Sequence, residues 1–292
     1  MNSFMDALTA AWPTITAVAV DLDGTILTPE PRLTDRVRDA LRAVLASGRK
    51  LIICTGRSAA SSEPFRAAIG CEGPMVFYNG AMVVDTPSQE ARSSFLLDAR
   101  ILKIAFDLAR EEDLYLHCFT EDGSLWCPRR SGGRPWSERE LYRSRTGQLP
   151  VETDIDELLF PAPGRQRDAI KAMFIAEPDR LDAITPILAA RASACAIEAP
   201  GLYLTRSQAS YLELLSAKAN KGAALKNACA LRGLDPEHLL AFGDGENDIP
   251  LLEAVGWPLA MAPAPASLKA RAKGIAPAAS EDGVAVILEA LL

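Results

Sequence analysis

The sequence predicts an α/β protein, built on a mostly parallel sheet with flanking helices and carrying an inserted α+β domain. Short apolar, β-branched runs alternate with helical patterns in the first third of the chain and again in the last third. Between them the strand and helix signals are mixed and include a polar, arginine-rich stretch. We therefore place the core domain at 1–84 plus 207–292 and the inserted domain at 85–206.

In the first third, each element follows from a local pattern. The first buried strand is predicted by "ITAVAVD" and the second by "KLIICTG", since both are short, apolar and β-branched. A helix between them is predicted by "TDRVRDALRAVLASG", with Thr34 as its N-cap and Gly48 as its stop. A further helix is predicted by "SSEPFRAAIG", and a hairpin turning at Asn79-Gly80 by "PMVFYNGAMVVD".

The last third returns to the same alternation. Helices are predicted by "NKGAALKNACALRGL", "NDIPLLEAVG", "PASLKARAKG" and "DGVAVILEALL", and strands by "HLLAFGDG" and "WPLAMA". In the middle, strands are indicated by "LYLHCFT" and "AIKAMFIA" and a helix by "PDRLDAITPILAARA". The six arginines within 129–145 are typical of a solvated loop with one short helix, and contact with an anionic group of a ligand is the alternative.

Composition excludes several classes of protein. The 292 residues are 49% hydrophobic and 24% charged, which is typical of a folded globular chain. The net charge of −7 argues against a general nucleic-acid or membrane-surface binder, and no apolar run approaches the roughly 20 residues of a membrane helix. Six scattered cysteines without a C-x-x-C pair, and no secretion signal, predict reduced thiols and a cytoplasmic location. Only two histidines argue against a Ser-His-Asp hydrolase, and neither a monomer nor a small homo-oligomer is favoured.

Carboxylates follow the first and last of three predicted strands, where ligands bind in an open parallel sheet. Asp21 is predicted as the last residue of the first strand, and Asp23 follows in the turn. Asp244 and Asp248 follow the strand "HLLAFGDG". Four carboxylates at one edge repel one another unless a cation lies between them, and Mg²⁺ prefers oxygen ligands. The sequence therefore predicts a magnesium site.

Three rival sites fail on residue type. A twelve-residue calcium loop counted from Asp21 has Ile26 where glycine is needed and Arg32 where glutamate is needed, and a count from Asp244 fails at the same two positions. No G-x-x-x-x-G-K-[ST] motif is present, and Asp248 occupies the place of the third glycine of a dinucleotide loop. ATP-loop and NAD-binding functions are therefore disfavoured.

Four short motifs occur in one order along the chain: "DLDGT" at 21–25, "CTGR" at 54–57, "NKG" at 220–222 and "GDGEND" at 243–248. In order and spacing they resemble motifs I to IV of the haloacid dehalogenase (HAD) superfamily of phosphohydrolases, in its Cof-like branch of class IIB. The segments "YNGA" and "YLELL" fit the same branch. The resemblance implies a Rossmann-like core, a large C2-type cap that sets substrate specificity, and Mg²⁺ as cofactor.

The resemblance also implies a role for each site residue. Asp21 would be the nucleophile that forms an aspartyl-phosphate, and Asp23 would be the general acid and then the base for water. Mg²⁺ would be held by Asp21, the backbone carbonyl of Asp23, and Asp244. Asp248 would complete the metal site through water or by orienting the lysine of the third motif. The phosphate oxygens would be bound by Thr55, Gly56, Lys221 and Asn247.

Several of these side chains have a simpler alternative. Thr55 would merely cap the following helix, and Lys221 would be one more solvated lysine. Cys54 is expected to pack as a small apolar residue. Arg57 either reaches a substrate or is an exposed arginine at a helix start.

The implied function is Mg²⁺-dependent hydrolysis of small phosphorylated metabolites, such as sugar phosphates or cofactor phosphates. A phosphomutase or another phosphotransferase shares the aspartyl-phosphate step and stays open as an alternative. A catalytically silent binding or regulatory domain is disfavoured because the carboxylates and the lysine are intact. In one departure, Cof-like proteins usually carry Met-Gly-Asn-Ala where this chain has "MAPA" at Met261 to Ala264, with Pro263 predicted in the first turn of the following helix.

Overall fold

The computed structural model describes residues 2–86, 88–130, 132–195 and 201–292. The strands are β1 (Ala17–Val20), β2 (Lys50–Ile53), β3 (Gly73–Phe77), β4 (Met82–Thr86), β5 (Glu90–Ser94), β6 (Tyr115–Thr120), β7 (Leu125–Pro128), β8 (Val151–Thr153), β9 (Ala169–Ile175), β10 (Leu202–Gln208), β11 (Tyr211–Ser216), β12 (Leu239–Gly243), β13 (Trp257–Met261) and β14 (Gly274–Ala276). The helices are α1 (Asn2–Ala11), α2 (Asp35–Ala46), α3 (Ala59–Ile69), α4 (Ala99–Glu111), α5 (Ser137–Thr146), α6 (Ile155–Leu159), α7 (Pro178–Ala194), α8 (Lys221–Arg232), α9 (Ile249–Glu253), α10 (Ala266–Lys269) and α11 (Gly283–Glu289).

The chain forms two compact units, and their boundaries lie later in the sequence than 84 and 206. The first unit is Met1–Ser93 with Asn220–Leu292, and the second is Ser94–Ala219. The first boundary moves because β5 joins the small sheet of β3 and β4. The second moves because β10 and β11 pair with each other and with β9, inside the sheet of the second unit.

A five-stranded sheet in the order β14-β13-β12-β1-β2 organises the first unit, and all of its pairings are parallel. β1 is entirely buried and lies between β12 and β2, so its carboxyl end adjoins the ends of both neighbours. Helices α8 and α9 pack against Ala17, Ala19 and Ile52 on one face. The predicted α/β class with a parallel sheet and flanking helices is therefore confirmed.

Most local predictions for this unit are confirmed. Thr34 caps α2 by accepting a hydrogen bond from the backbone N–H of Val37 at 3.2 Å. β3 and β4 pair antiparallel as the predicted hairpin. The helix predicted from "PASLKARAKG" is only the four residues of α10, and the sequence patterns missed α1 and β14. β14 has three residues, too few for a period-2 pattern to be read.

The second unit contains a six-stranded sheet in the order β10-β11-β9-β6-β7-β8. Helices α4 and α7 pack on one face against apolar side chains such as Leu116 and Phe174. Because side chains alternate along a strand, His117, Lys171 and Glu213 lie on the opposite face, where all three are buried. Lys171 and Glu213 pair there at 2.8 Å.

The arginine-rich stretch forms α5, as the predicted short helix, with flanking loop. Contacts to groups of the same unit are made by four of its arginines, Arg130, Arg139, Arg143 and Arg145. Arg130 pairs with Asp113 at 2.5 Å, and Arg145 donates to the Tyr211 hydroxyl at 2.8 Å. These contacts support the solvated-surface interpretation over ligand binding. Across the described ranges, no helix has the length and apolar character needed to cross a membrane.

Candidate active site

The carboxylates follow the carboxyl ends of two adjacent strands. β1 ends at Val20, so Asp21 is the first residue after the strand rather than its last. The backbone N–H of Asp21 still donates to the carbonyl of Phe242 in β12, at 3.2 Å. β12 ends at Gly243, and Asp244 follows directly. The parallel sheet thus brings together two carboxylates that are more than 200 residues apart in the sequence.

The turn after β1 depends on Gly24. Its φ is +76°, in the left-handed region that favours glycine, and a Cβ added there would lie 2.1 Å from Oδ2 of Asp244. Thr25 follows and donates a hydrogen bond to Oδ1 of Asp244 at 3.2 Å. The "DGT" part of the first motif therefore gives the Asp244 carboxylate both its space and one hydrogen bond.

Lys221 is the first residue of α8 and is fully buried. Its ammonium donates to Oδ1 of Asp21 at 2.8 Å and to Oδ1 of Asp248 at 2.6 Å. Oδ2 of Asp248 accepts the backbone N–H groups of Asp244 at 2.9 Å and Gly245 at 3.0 Å. The alternative of a solvated lysine is therefore wrong, and both oxygens of Asp248 are already used within the site.

Negative charge exceeds positive charge in this buried cluster. Burial raises the pKa of Asp21 well above its ordinary value, with Lys221 opposing the shift and the other carboxylates adding to it. Burial and the charge of Asp248 likewise raise the pKa of Asp244 to about 7. Burial alone would lower the pKa of Lys221, but Asp21 and Asp248 together hold it above its ordinary value. One lysine does not balance three carboxylates, and an added cation would.

The donor set fits a hard cation. One carboxylate oxygen from each of Asp21, Asp244 and Asp248 lies within 4.8 Å of the others. The set contains only oxygen atoms, which suits Mg²⁺ or Ca²⁺ rather than a metal that prefers nitrogen or sulfur. Since Asp248 already binds Lys221 and two backbone amides, Asp21 and Asp244 are the better placed of the three to contact a metal directly.

Thr55 lies two residues after the end of β2 and is fully buried. Its backbone N–H donates to Val76 at 2.9 Å, and its hydroxyl oxygen accepts the N–H of Arg57 at 3.2 Å. Thr55 does not cap the following helix, because Ser58 is the N-cap of α3 and accepts the N–H of Ser61. The capping alternative for Thr55 is therefore wrong.

Gly56 and Asn247 both contact Asn79, a residue outside the four motifs. The Asn247 side-chain amide donates to Oδ1 of Asn79 at 3.0 Å, and both side chains are buried. A Cβ added to Gly56 would lie 3.0–3.3 Å from the Asn79 amide. The available signal was the Asn-Gly pair in "YNGA", which also predicts an ordinary hairpin turn.

Asp23 is exposed and binds Arg57 in a two-point ion pair. Arg57 Nε donates to Oδ2 of Asp23 at 2.7 Å, and its terminal nitrogen donates to Oδ1 at 2.5 Å. The guanidinium of Arg57 thus engages a site carboxylate rather than standing alone at the helix start, and its contact with a substrate stays a prediction. The neighbouring Cys54 packs in the apolar core as predicted, and burial raises the pKa of its thiol well above the usual range.

Pro263 is placed differently from its prediction. The "MAPA" segment forms a turn in which Ala264 N–H donates to the Met261 carbonyl at 2.9 Å. α10 begins only at Ala266, after the N-cap Pro265, so Pro263 precedes the helix rather than lying in its first turn. Proline fits this turn because its backbone nitrogen needs no hydrogen-bond partner there.

The sequence model of the haloacid dehalogenase-like hydrolases matches residues 18–288. The chain belongs to this family. The resemblance of the four motifs to HAD phosphohydrolases is confirmed, and with it the predicted enzyme class: the protein is a HAD-type phosphatase of the Cof-like branch.

Individual relatives extend the match across nearly the whole chain. YxeH of Bacillus subtilis is 30% identical over 253 residues, covering 84% of this HAD-like hydrolase and 86% of YxeH. The pyridoxal phosphate phosphatase YbhA of Escherichia coli is 26% identical over 259 residues, covering 89% of this chain and 92% of YbhA. A haloacid dehalogenase-like hydrolase from Bacteroides thetaiotaomicron has a similar fold, with a TM-score of 0.79 at 22% identity over 95% of this chain and 100% of that one.

Proposed function

We propose that this phosphatase hydrolyses small phosphorylated metabolites with Mg²⁺, through an aspartyl-phosphate on Asp21. The supporting observation is the environment of the Asp21 carboxylate. Lys221 binds its Oδ1 at 2.8 Å, whereas no described residue donates a hydrogen bond to its Oδ2. One oxygen is therefore held in place while the other remains available to attack phosphorus.

The metal would be held by Asp21 and Asp244, with the backbone carbonyl of Asp23 as a third protein ligand. Bound there, Mg²⁺ would supply positive charge between the nucleophile and the phosphate oxygens. Asp248 would act without contacting the metal directly, because its hydrogen bonds orient Lys221 and the loop of Asp244. This assigns Asp248 the orienting role of the two that the family resemblance implies.

Phosphate oxygens would be bound by Thr55, Gly56, Lys221 and Asn247. Lys221 has three N–H donors, of which Asp21 and Asp248 take two, so one is available for a phosphate oxygen. The Thr55 hydroxyl accepts the Arg57 N–H and keeps its own hydrogen for the ligand. These donors belong to segments that start at the ends of β2 and β12 or at the start of α8.

Asp23 would protonate the leaving oxygen and then take a proton from the attacking water. In the structure its carboxylate is bound by Arg57, so this ion pair must loosen before Asp23 can carry a proton to the substrate. We expect Asp23→Asn to slow turnover about 10²–10⁴-fold, the usual contribution of general acid–base catalysis. Single-turnover phosphate release measures this, and an unchanged rate would contradict the role.

The substrates would be compact phosphate monoesters, namely cofactor phosphates or sugar phosphates. The name of YbhA, a pyridoxal phosphate phosphatase, supports the cofactor class. The inserted unit would act as the cap that selects among them. The cytoplasmic location stays a prediction from the cysteine pattern.

The test is phosphate release from a panel of sugar and cofactor phosphates, with and without Mg²⁺. Wild type is compared with Asp21→Asn and with Asp39→Asn, an exposed carboxylate on α2 that serves as the matched control. We expect release that requires both Mg²⁺ and Asp21, and mass spectrometry of acid-quenched enzyme should find one phosphoryl group on the peptide containing Asp21. Mg²⁺-dependent release by folded Asp21→Asn at the wild-type rate would overturn the proposal.

A further inference from the structure

Three consecutive residues with positive φ form the turn between β3 and β4. The φ angles are 51° at Tyr78, 55° at Asn79 and 95° at Gly80. Asparagine visits this region more readily than most residues, but a bulky aromatic residue there is a genuine outlier. Non-glycine residues held in this region are strained and persist only where their surroundings impose the conformation.

The surroundings that impose it belong to the "CTGR" segment at 54–57 and to the start of α8. The backbone N–H of Tyr78 donates to the carbonyl of Arg57 at 3.0 Å, and that of Asn79 donates to the carbonyl of Thr55 at 2.9 Å. On the other side, a Cβ at Gly80 would lie 2.2 Å from the carbonyl oxygen of Asn220, the N-cap of α8. The turn is therefore fixed between the "CTGR" loop and the start of the helix that carries Lys221.

This conformation places the Asn79 side chain between the second and fourth motifs. Its amide lies against Gly56, and its Oδ1 accepts the side-chain N–H of Asn247 at 3.0 Å. Asn79 is 1% exposed, so this hydrogen bond is shielded from water. A side-chain amide has two ends that differ in hydrogen-bonding character, and an acceptor at a fixed position determines which end of Asn247 faces it.

We propose that Asn79 is a positioning residue for phosphoryl transfer. Its oxygen sets the orientation of the Asn247 amide, and its contact with Gly56 sets the separation of the two segments that grip the phosphate. The strained turn keeps the Asn79 amide in that position. This inference rests on the proposed function, because it assigns Asn247 and Gly56 to the phosphate subsite.

The test removes the side chain without disturbing the backbone. Asn79→Gly keeps a residue that adopts positive φ freely, so a loss of function cannot be ascribed to backbone strain. The matched control is Asp282→Gly: Asp282 also has positive φ, 55°, and its side chain also accepts one hydrogen bond, from Thr34 at 2.7 Å. Each variant is also made in an Asn247→Ala background.

Two quantities are measured. The first is kcat/KM with the best substrate of the panel. The second is the affinity for inorganic phosphate, taken from its inhibition of the enzyme or from its stabilisation of the fold. For Asn79→Gly we expect kcat/KM and phosphate affinity each to fall about ten- to hundred-fold, the range for one oriented hydrogen bond to a charged group. In the Asn247→Ala background, Asn79→Gly should lower either quantity by a smaller factor than in the wild-type background, because the hydrogen bond to Asn247 is already absent and only the contact with Gly56 is lost. Asp282→Gly should leave both at the wild-type value.

Three outcomes would overturn the inference. In the first, Asn79→Gly keeps wild-type kcat/KM and phosphate affinity. In the second, the double variant loses kcat/KM by the full product of the two single-variant factors, so the two side chains act independently. In the third, Asn79→Gly lowers only the thermal stability. A wild-type protein that binds inorganic phosphate but hydrolyses nothing would refute the proposed function. In that case the phosphate affinities of the same variants still decide for or against Asn79. A wild type that neither binds phosphate nor hydrolyses any ester would overturn both.

Discussion

Replacing Lys221 by methionine removes the only buried cation described between Asp21 and Asp248 while keeping a straight side chain of similar length. The ammonium lies 2.8 Å from one carboxylate and 2.6 Å from the other. At an effective dielectric constant of about 20, each contact corresponds to about 6 kcal/mol of Coulomb energy. Desolvation offsets much of this, and removing one partner of a buried pair costs about 3–5 kcal/mol. Because two carboxylates lose the same partner, we expect the free energy of unfolding to fall by about 5 kcal/mol.

The measurement is urea unfolding at pH 8 with EDTA, and again with excess Mg²⁺. Lys171→Met is the matched control, since Lys171 is also buried but pairs with the single carboxylate Glu213 in the other unit. We expect the control to lose about 3 kcal/mol, with or without Mg²⁺. Lys221→Met should recover part of its loss in Mg²⁺, because the cation would neutralise Asp21. A loss below about 1 kcal/mol at pH 8, or an identical loss with and without Mg²⁺, would refute the reasoning.

Three further predictions concern other positions. Gly24→Ala should lower the free energy of unfolding by about 1–2 kcal/mol, because positive φ disfavours alanine, and urea unfolding measures this. It should also raise the Mg²⁺ concentration needed for activity, because the added Cβ would displace Asp244, and a metal titration measures this. Burial lowers the pKa of His117 to about 3, so its contribution to stability is complete above pH 6.5 and is lost as the pH falls from there towards 3. From pH 7 to pH 5 the free energy of unfolding of the wild type should therefore fall by about 2 kcal/mol more than that of His117→Gln. Equal falls for the two proteins in urea unfolding would contradict this. Cys54 should resist iodoacetamide at pH 8 until urea is added, because burial raises its pKa, and modification of the native protein seen by mass spectrometry would contradict it.

The sequence was most informative where a polar residue directly follows an apolar run. Asp21, Thr55 and Asp244 each follow a strand within two residues, and parallel neighbours bring such positions together. The glycines of the motifs could also be interpreted, because a turn beside a site leaves few choices at positions such as Gly24. These features are local, so a single sequence contains them.

Pairings between distant side chains could not be predicted in the same way. Asn79 and Asn247 are 168 residues apart, and neither has a neighbour pattern that indicates the other. The ion pair of Arg57 with Asp23 depends on how one loop lies beside another. Likewise the strands β5 and β10 have ordinary compositions, and only their pairing shows which unit each one joins.

The central position of β1 has a consequence for synthesis on the ribosome. Its partner β12 begins at Leu239, paired with Ala17, so more than 200 residues must be translated before that edge of β1 is covered. At about 5–20 residues per second this takes on the order of 10–40 s. The second unit, continuous from Ser94 to Ala219, has all its strands much sooner after its first residue emerges. The sheet of the second unit can therefore form before β12, β13 and β14 of the five-stranded sheet have been synthesised. During that interval one edge of β1 is unpaired, and unpaired strand edges bind chaperones or aggregate.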